Sequence, residues 1–241
     1  MQAKGGSLEL HGGLLALIEV LRNIVFAAPA FIVGIVIHEC AHAYVAWKLG
    51  DPTAVVEGRL TLDPRAHFDP LGAIMFLLSM LTGIGFGWAK PVPVNWWRFR
   101  NPIRDMAIVA AAGPLANFVL AFIWYVLLIA IVVAVRLFEP LFTIPVIGSM
   151  FMVAMMVLKM IAAYGVVINF ALSAFNLIPI PPLDGGRIAV AVLPPRLGYE
   201  LARLEPFGFL ILLLLLWFGV FKVVFIPFQG LLSLMFSLLP E

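Results

Sequence analysis

From Asn23 to Trp47 the only side chain with a formal charge is Glu39. It sits between His38 and His42, with the apolar run Phe31–Ile37 before it and Ala43–Trp47 after it. A helix needs about 20 apolar residues to cross a bilayer, and the backbone inside it has no water to bond. A chain that places two imidazoles and a carboxylate in such a run is tightly constrained, because ionisable groups at membrane depth are costly and are usually functional. The rest of the chain has the same character. It is 63% hydrophobic and 12% charged, against about 45–50% and about 25% for a soluble domain. We read an all-α polytopic integral membrane protein forming one membrane-embedded domain over residues 1–241, with a core of about 30–195 and a carboxy-terminal helix and amphipathic tail of about 206–241. The net charge of +2 comes from few basic residues, placed between apolar runs. That pattern suits topology signalling and gives no nucleic-acid patch. One cysteine excludes an intrachain disulfide. The polar amino terminus shows no cleavable signal segment.

The apolar runs set the expected elements. Glu19, Arg22 and Pro29 interrupt the first region, which divides into a marginal helix of about 8–28 and a full one of about 30–49. Residues 50–70 are more polar and read as loop with short strands at Val55-Val56 and Arg59–Leu62. Leu71–Phe86 is apolar but short. Trp88–Arg104 pairs tryptophans with basic residues, as at a bilayer interface. Met106–Val135, Ile144–Leu177 and Phe207–Phe225 are the later spans, for about five to six transmembrane helices in all.

His38-Glu39-Cys40-Ala41-His42 has the H-E-x-x-H pattern of a zinc site. Residues four apart face the same side of a helix, so both histidines can serve one ion. Glu39 lies about 100° round the helix, at the edge of that site and placed to take a proton from activated water. The alternative is a pair of histidines bonded within a helix bundle. A catalytic zinc has three protein ligands. The other histidines are His11 and His67, but Asp184, in Asn176-Leu-Ile-Pro-Ile-Pro-Pro-Leu-Asp-Gly-Gly186, is the better candidate. Prolines stop a regular helix there and glycines let the backbone turn. The competing role for Asp184 is a helix cap. His67-Phe-Asp69 admits a second metal site, though its loop position favours a structural role. Cys40 reads as a small packing residue.

These motifs together resemble the site-2 protease family of intramembrane zinc metalloproteases. The matching strings are His38-Glu39-x-x-His42, Asn176-x-x-Pro179 with Leu183-Asp184-Gly185, and Gly113-Pro114-Leu-Ala-Asn117. Gly58-Arg-Leu-Thr-Leu-Asp-Pro64 and Trp88-Ala-Lys-Pro-Val-Pro-Val94 are similar to a compact prokaryotic branch, with no stretch long enough for a PDZ or CBS domain. The resemblance implies one zinc ion per chain on His38, His42 and Asp184, and Glu39 as general base and acid. It implies that Asn176 positions substrate or stabilises the oxyanion. Asn117 either orients the site or bonds between helices, and His67 is a further candidate near the site. The expected partners are transmembrane protein or peptide substrates and the lipid bilayer, in a prokaryotic inner membrane.

The resemblance also implies that the H-E-x-x-H helix and the L-D-G helix run in the same direction, with one span between them. Leu71–Phe86 would then re-enter rather than cross. Residues 50–104 would face the cytoplasm, which the distribution of Lys and Arg allows without deciding it. The prolines at 179, 181 and 182 and the glycines near 83–87 would line an opening, and residues 55–62 would pair with an extended substrate. Two rivals stand beside protease: a membrane metal transporter, which needs a chain of polar ligands across the bilayer, and an inactive scaffold that binds membrane proteins.

Overall fold

The structure is a computed structural model and describes residues 3–82, 87–144 and 146–239. Helices account for all of its regular structure; the described residues contain no strand. Helix α1 runs from Ala3 to Lys48 without a break. The two helices expected before and after Pro29 are therefore one. A proline removes a single hydrogen bond and crowds one carbonyl, and a helix in an apolar setting absorbs this by local adjustment. At 1.5 Å per residue its 46 residues extend about 69 Å. Helix α4 (Pro102–Leu137) starts on Pro102, whose missing N–H costs nothing at a first turn. Helix α5 (Ile147–Asn176) ends where Pro179, Pro181 and Pro182 withhold their donors. The parts of these three helices at Leu17–Lys48, Pro102–Leu137 and Ile147–Asn176 are long and apolar enough to cross a membrane.

Small residues let α1, α4 and α5 approach closely. Ala27, Ala30, Ala43, Ala46, Ala121 and Ala162 are fully buried. Large apolar side chains such as Leu21, Val25, Ile123, Val126 and Met156 face outward instead. Lipid is as apolar as leucine, so packing rather than water exclusion draws such helices together, and small residues serve that best.

The region between α1 and α4 carries the polar architecture. Val55 and Val56 lie in a helical turn, α2 (Thr53–Val56), and Arg59–Leu62 forms no strand. The reason lies in the amides. Val56, Glu57, Gly58 and Arg59 all donate back into the turn, which leaves no ladder to build. Asp51 starts this turn by accepting from the Thr53 backbone N–H and hydroxyl. Its other oxygen accepts from Asn95 N–H at 2.6 Å, tying the turn to a later segment.

Helix α3 (Pro70–Thr82) has 13 residues, about 20 Å, against a hydrocarbon core of about 30 Å. The chain then doubles back. Gly87 packs on Phe76, Trp88 passes the Gly72 backbone, and Lys90 N–H bonds to His67 O at 2.9 Å. Phe76 stacks on Phe31 of α1, centroids 4.2 Å apart. Gly83 and Gly85, expected at an opening, lie outside the described residues.

After α5, residues 177–183 form an irregular link, and α6 (Asp184–Val192) folds back onto it. A Cβ at Gly185 would stand 2.3 Å from Leu177 O, and one at Gly186 2.3 Å from Pro181 N, so only glycine permits the return. Helix α7 (Pro195–Ala202) follows. The expected last span is divided at Gly219, whose φ of +70° is left-handed, into α8 (Gly208–Trp217) and α9 (Val220–Ser237).

Replacing the fully buried Asp51 by Ala strands the Thr53 and Asn95 donors. Asp51→Ala is expected to cost about 3 kcal/mol, read as a lower thermal unfolding midpoint in detergent micelles. An unchanged midpoint would contradict this role.

Candidate metal centre

His38 and His42 project from α1 one turn apart, and Asp184 meets them from the first turn of α6. Asp184 makes no capping bond to its helix; Leu183 holds the cap position. The Asp184 Oδ2 atom lies 3.1 Å from His38 Nε2 and 3.2 Å from His42 Nε2, and the two Nε2 atoms are 3.0 Å apart. All three residues are 8% exposed. Gly113 of α4 forms the floor, where a Cβ would come within 2.4 Å of His42 Nε2 and 2.6 Å of His38 Nε2.

Hydrogen bonds on the far side of each ring fix the tautomers. His42 Nδ1–H donates to the Val109 carbonyl at 2.7 Å, and a carbonyl can only accept. His38 Nδ1–H donates to Asn117 Oδ1 at 2.6 Å. The Asn117 amide cannot be turned round, because its Nδ2 already donates to Gly34 O at 3.0 Å and to Asn169 Oδ1 at 2.9 Å. Asn169 is fixed in turn by its bond to Gly165 O at 2.9 Å. With the rings neutral, as metal binding requires, both Nε2 lone pairs face a carboxylate oxygen that has no other hydrogen-bond donor. Three electron-pair donors meeting in this way repel one another. A single proton can bridge only one pair, whereas a divalent cation bonds to all three. These side chains fit a metal ion, with their ligand atoms within 4.8 Å of one another.

Glu39 stands apart from this triad. Its Oε2 accepts from Val92 N–H at 2.8 Å. A cavity of about 550 Å3 opens in front of the cluster and is lined by Glu39, Asn176 and Arg187 among largely apolar walls that include Phe31, Phe175 and Leu212. Asn176 lines this space while its Nδ2 donates to Leu172 O at 3.0 Å. His67 is buried away from the cluster. Its Nε2–H donates to Thr61 O at 2.9 Å, and its own carbonyl accepts from Lys90. Among the described residues the one group of three or more His, Cys, Asp or Glu able to hold a metal is His38, His42 and Asp184.

A family model described as Peptidase family M50 matches residues 26–218. The chain belongs to peptidase family M50. This is the site-2 protease family that the motifs resemble. YwhC of Bacillus subtilis is 39% identical over 194 residues, covering 76% of each chain. Rip2 of Mycobacterium tuberculosis is 32% identical over 220 residues, covering 89% of this chain and 76% of that one. Both are named as candidate zinc metalloproteases. No solved structure matches the chain.

Sequence reading of this M50 peptidase passed over Asn169. Its signal was an amide in the middle of an apolar span, Val166-Val-Ile-Asn-Phe170, which is a functional candidate on physical grounds alone. Through Asn117 it settles which His38 nitrogen keeps a lone pair. Asn169→Leu is expected to weaken zinc binding about 10–100-fold, measured by competition with a chelator, while Asn169→Asp, which keeps the acceptor for Asn117, loses less. Equal zinc affinity in Asn169→Leu and wild type would refute the relay.

Proposed function

We propose that this chain is an intramembrane zinc metalloprotease that hydrolyses peptide bonds within or near transmembrane segments of other membrane proteins. The observation that carries this reading is the convergence of two tautomer-fixed histidines and Asp184 beside a separate carboxylate, Glu39, on a largely apolar cavity. Depth supports it. Lys48 lies over the Trp47 ring at 4.6 Å and beside Tyr44, an aromatic and basic pairing suited to the interface. His38 lies ten residues before Lys48, about 15 Å deeper along α1.

His38, His42 and Asp184 would hold the zinc, which when bound acts as a Lewis acid toward water and the scissile carbonyl. Glu39 takes the proton from the attacking water and returns it to the leaving amine. An amide nitrogen carries two protons, so Asn176 can keep its bond to Leu172 and offer the second N–H to the developing oxyanion. The apolar walls bind the flanking substrate residues and limit bulk water. A single such cluster among the described residues does not favour a transporter, and a scaffold would have no use for a carboxylate beside it.

The same reading treats residues 1–241 as one domain and α3 with residues 87–90 as a re-entrant hairpin. Its support is that His67 and Lys90, at the two ends of the excursion, are bonded to each other. The three long helices cross, and α8 with α9 supplies a fourth crossing, fewer than the five to six expected because α1 is undivided. Residues 50–104 face the cytoplasm of a prokaryotic cell. In a Cys40→Ser background, a cysteine at Arg100 is expected to react with an impermeant maleimide only after the inner face is exposed; labelling of intact cells would reverse the orientation.

The decisive comparison uses membranes carrying the active enzyme or Glu39→Gln. Fragments of substrate membrane proteins should accumulate with the active form alone, a loss of about 10³-fold or more for the variant. Glu39→Gln should keep its zinc, and Asp184→Ala should lose it. Undiminished proteolysis by Glu39→Gln would end the assignment.

A further inference from the structure

Glu39 is bonded to one end of a peptide group whose other end is held by a cation. Val92 N–H donates to Glu39 Oε2 at 2.8 Å. The carbonyl of that same peptide unit belongs to Pro91, and it accepts from Arg59 Nη2 at 3.2 Å. The same guanidinium nitrogen donates to Lys90 O at 2.8 Å. A trans peptide points its C=O and N–H in opposite directions, so Arg59 and Glu39 pull on the two ends of a single amide. Hydrogen bonds in such a series polarise and strengthen one another where the dielectric is low. Arg59 is only 8% exposed, and its recorded acceptors are backbone carbonyls.

The local sequence makes this arrangement exclusive. Pro91 and Pro93 have no N–H, so Val92 supplies the one amide proton of the Pro-Val-Pro triplet, and Glu39 takes it. Proline fixes φ at Pro91 but leaves ψ free, and rotation there would swing the Val92 N–H away from Glu39. The Arg59 bond to the Pro91 oxygen stops that rotation. Anchors on both sides hold the strip in place: Lys90 N–H on His67 O at 2.9 Å, and Asn95 N–H on Asp51 Oδ2 at 2.6 Å. Those anchors fix where the strip lies, whereas Arg59 fixes which way its central peptide faces.

We propose that Arg59 is a positioning residue for Glu39, acting through the Pro91–Val92 peptide plane. The inference rests on the reading of Glu39 as the proton carrier. The first test is amide hydrogen exchange across residues 88–95 in the zinc-loaded protein. Slow exchange at Val92 is expected in wild type, with faster exchange in both Glu39→Ala and Arg59→Gln. On the substrate found by the Glu39→Gln comparison, Arg59→Gln should lower kcat about tenfold or more with KM within about twofold and with one zinc per chain retained. Arg59→Lys, which keeps a charged donor, should recover part of the loss. Unchanged kcat in Arg59→Gln, loss of zinc, or no rescue by lysine would each overturn the proposal. If Arg59 variants fail to fold, equal Val92 exchange in wild type and Glu39→Ala overturns it without them. A fully active Arg59→Gln beside an inactive Glu39→Gln removes this inference alone, whereas an active Glu39→Gln removes the protease assignment beneath it.

Discussion

The mutual repulsion of three electron-pair donors governs this molecule. His38 Nε2, His42 Nε2 and Asp184 Oδ2 are forced together at 3.0–3.2 Å inside an apolar bundle. Left alone, the rings would turn and the carboxylate would seek another donor. Each escape is closed by a different element. Val109 and Asn117 of α4 hold the two Nδ1 protons. Gly113, also of α4, leaves room for the rings but not for a methyl group. The folded-back start of α6 keeps Asp184 in place. The fit of alanines between α1, α4 and α5 serves the same end, since a bulkier interface would spread the donors apart.

Polar demands are met by two separate systems. One is internal to the helices and runs from Gly165 through Asn169 and Asn117 to His38. It is fully buried at both asparagines and joins three spans. The other belongs to the irregular region between α1 and α4, where Asp51, Arg59 and His67 each bond backbone groups of the strip that carries Val92. His38 depends on the first and Glu39 on the second. On the proposed roles, holding the ion and moving the proton are anchored in different parts of the fold.

The histidine pair and Glu39 were legible in the sequence because their relation is local: a four-residue spacing on one helix sets their directions. Asp184 was legible through the proline and glycine pattern around it and through family resemblance. The unbroken course of α1 was not, because Pro29 reads as a stop signal and its toleration depends on the surroundings. The strands expected at 55–62 failed because Asp51 draws the following residues into a helical turn, a contest that residue preferences alone do not decide. Asn169 and Arg59 were missed for a shared reason. Their partners lie 52 and 31 residues away, and although Arg59 falls in the Gly58–Pro64 string, nothing in that string shows which backbone its side chain will meet. His67 was noticed, but its role shows only in the bonds to Thr61 and Lys90 that the folded chain brings to it.

The folding back of α6 also bears on how the molecule is made. Two donors are present once α1 has been synthesised, but the third follows only after α4 and α5. A nascent chain therefore lacks one of the three donors through most of its synthesis, and a fragment that stops short of Asp184 never acquires it. The three donors can meet only after α1, α4 and α5 have been made, while the α8 side of the cavity wall is added last.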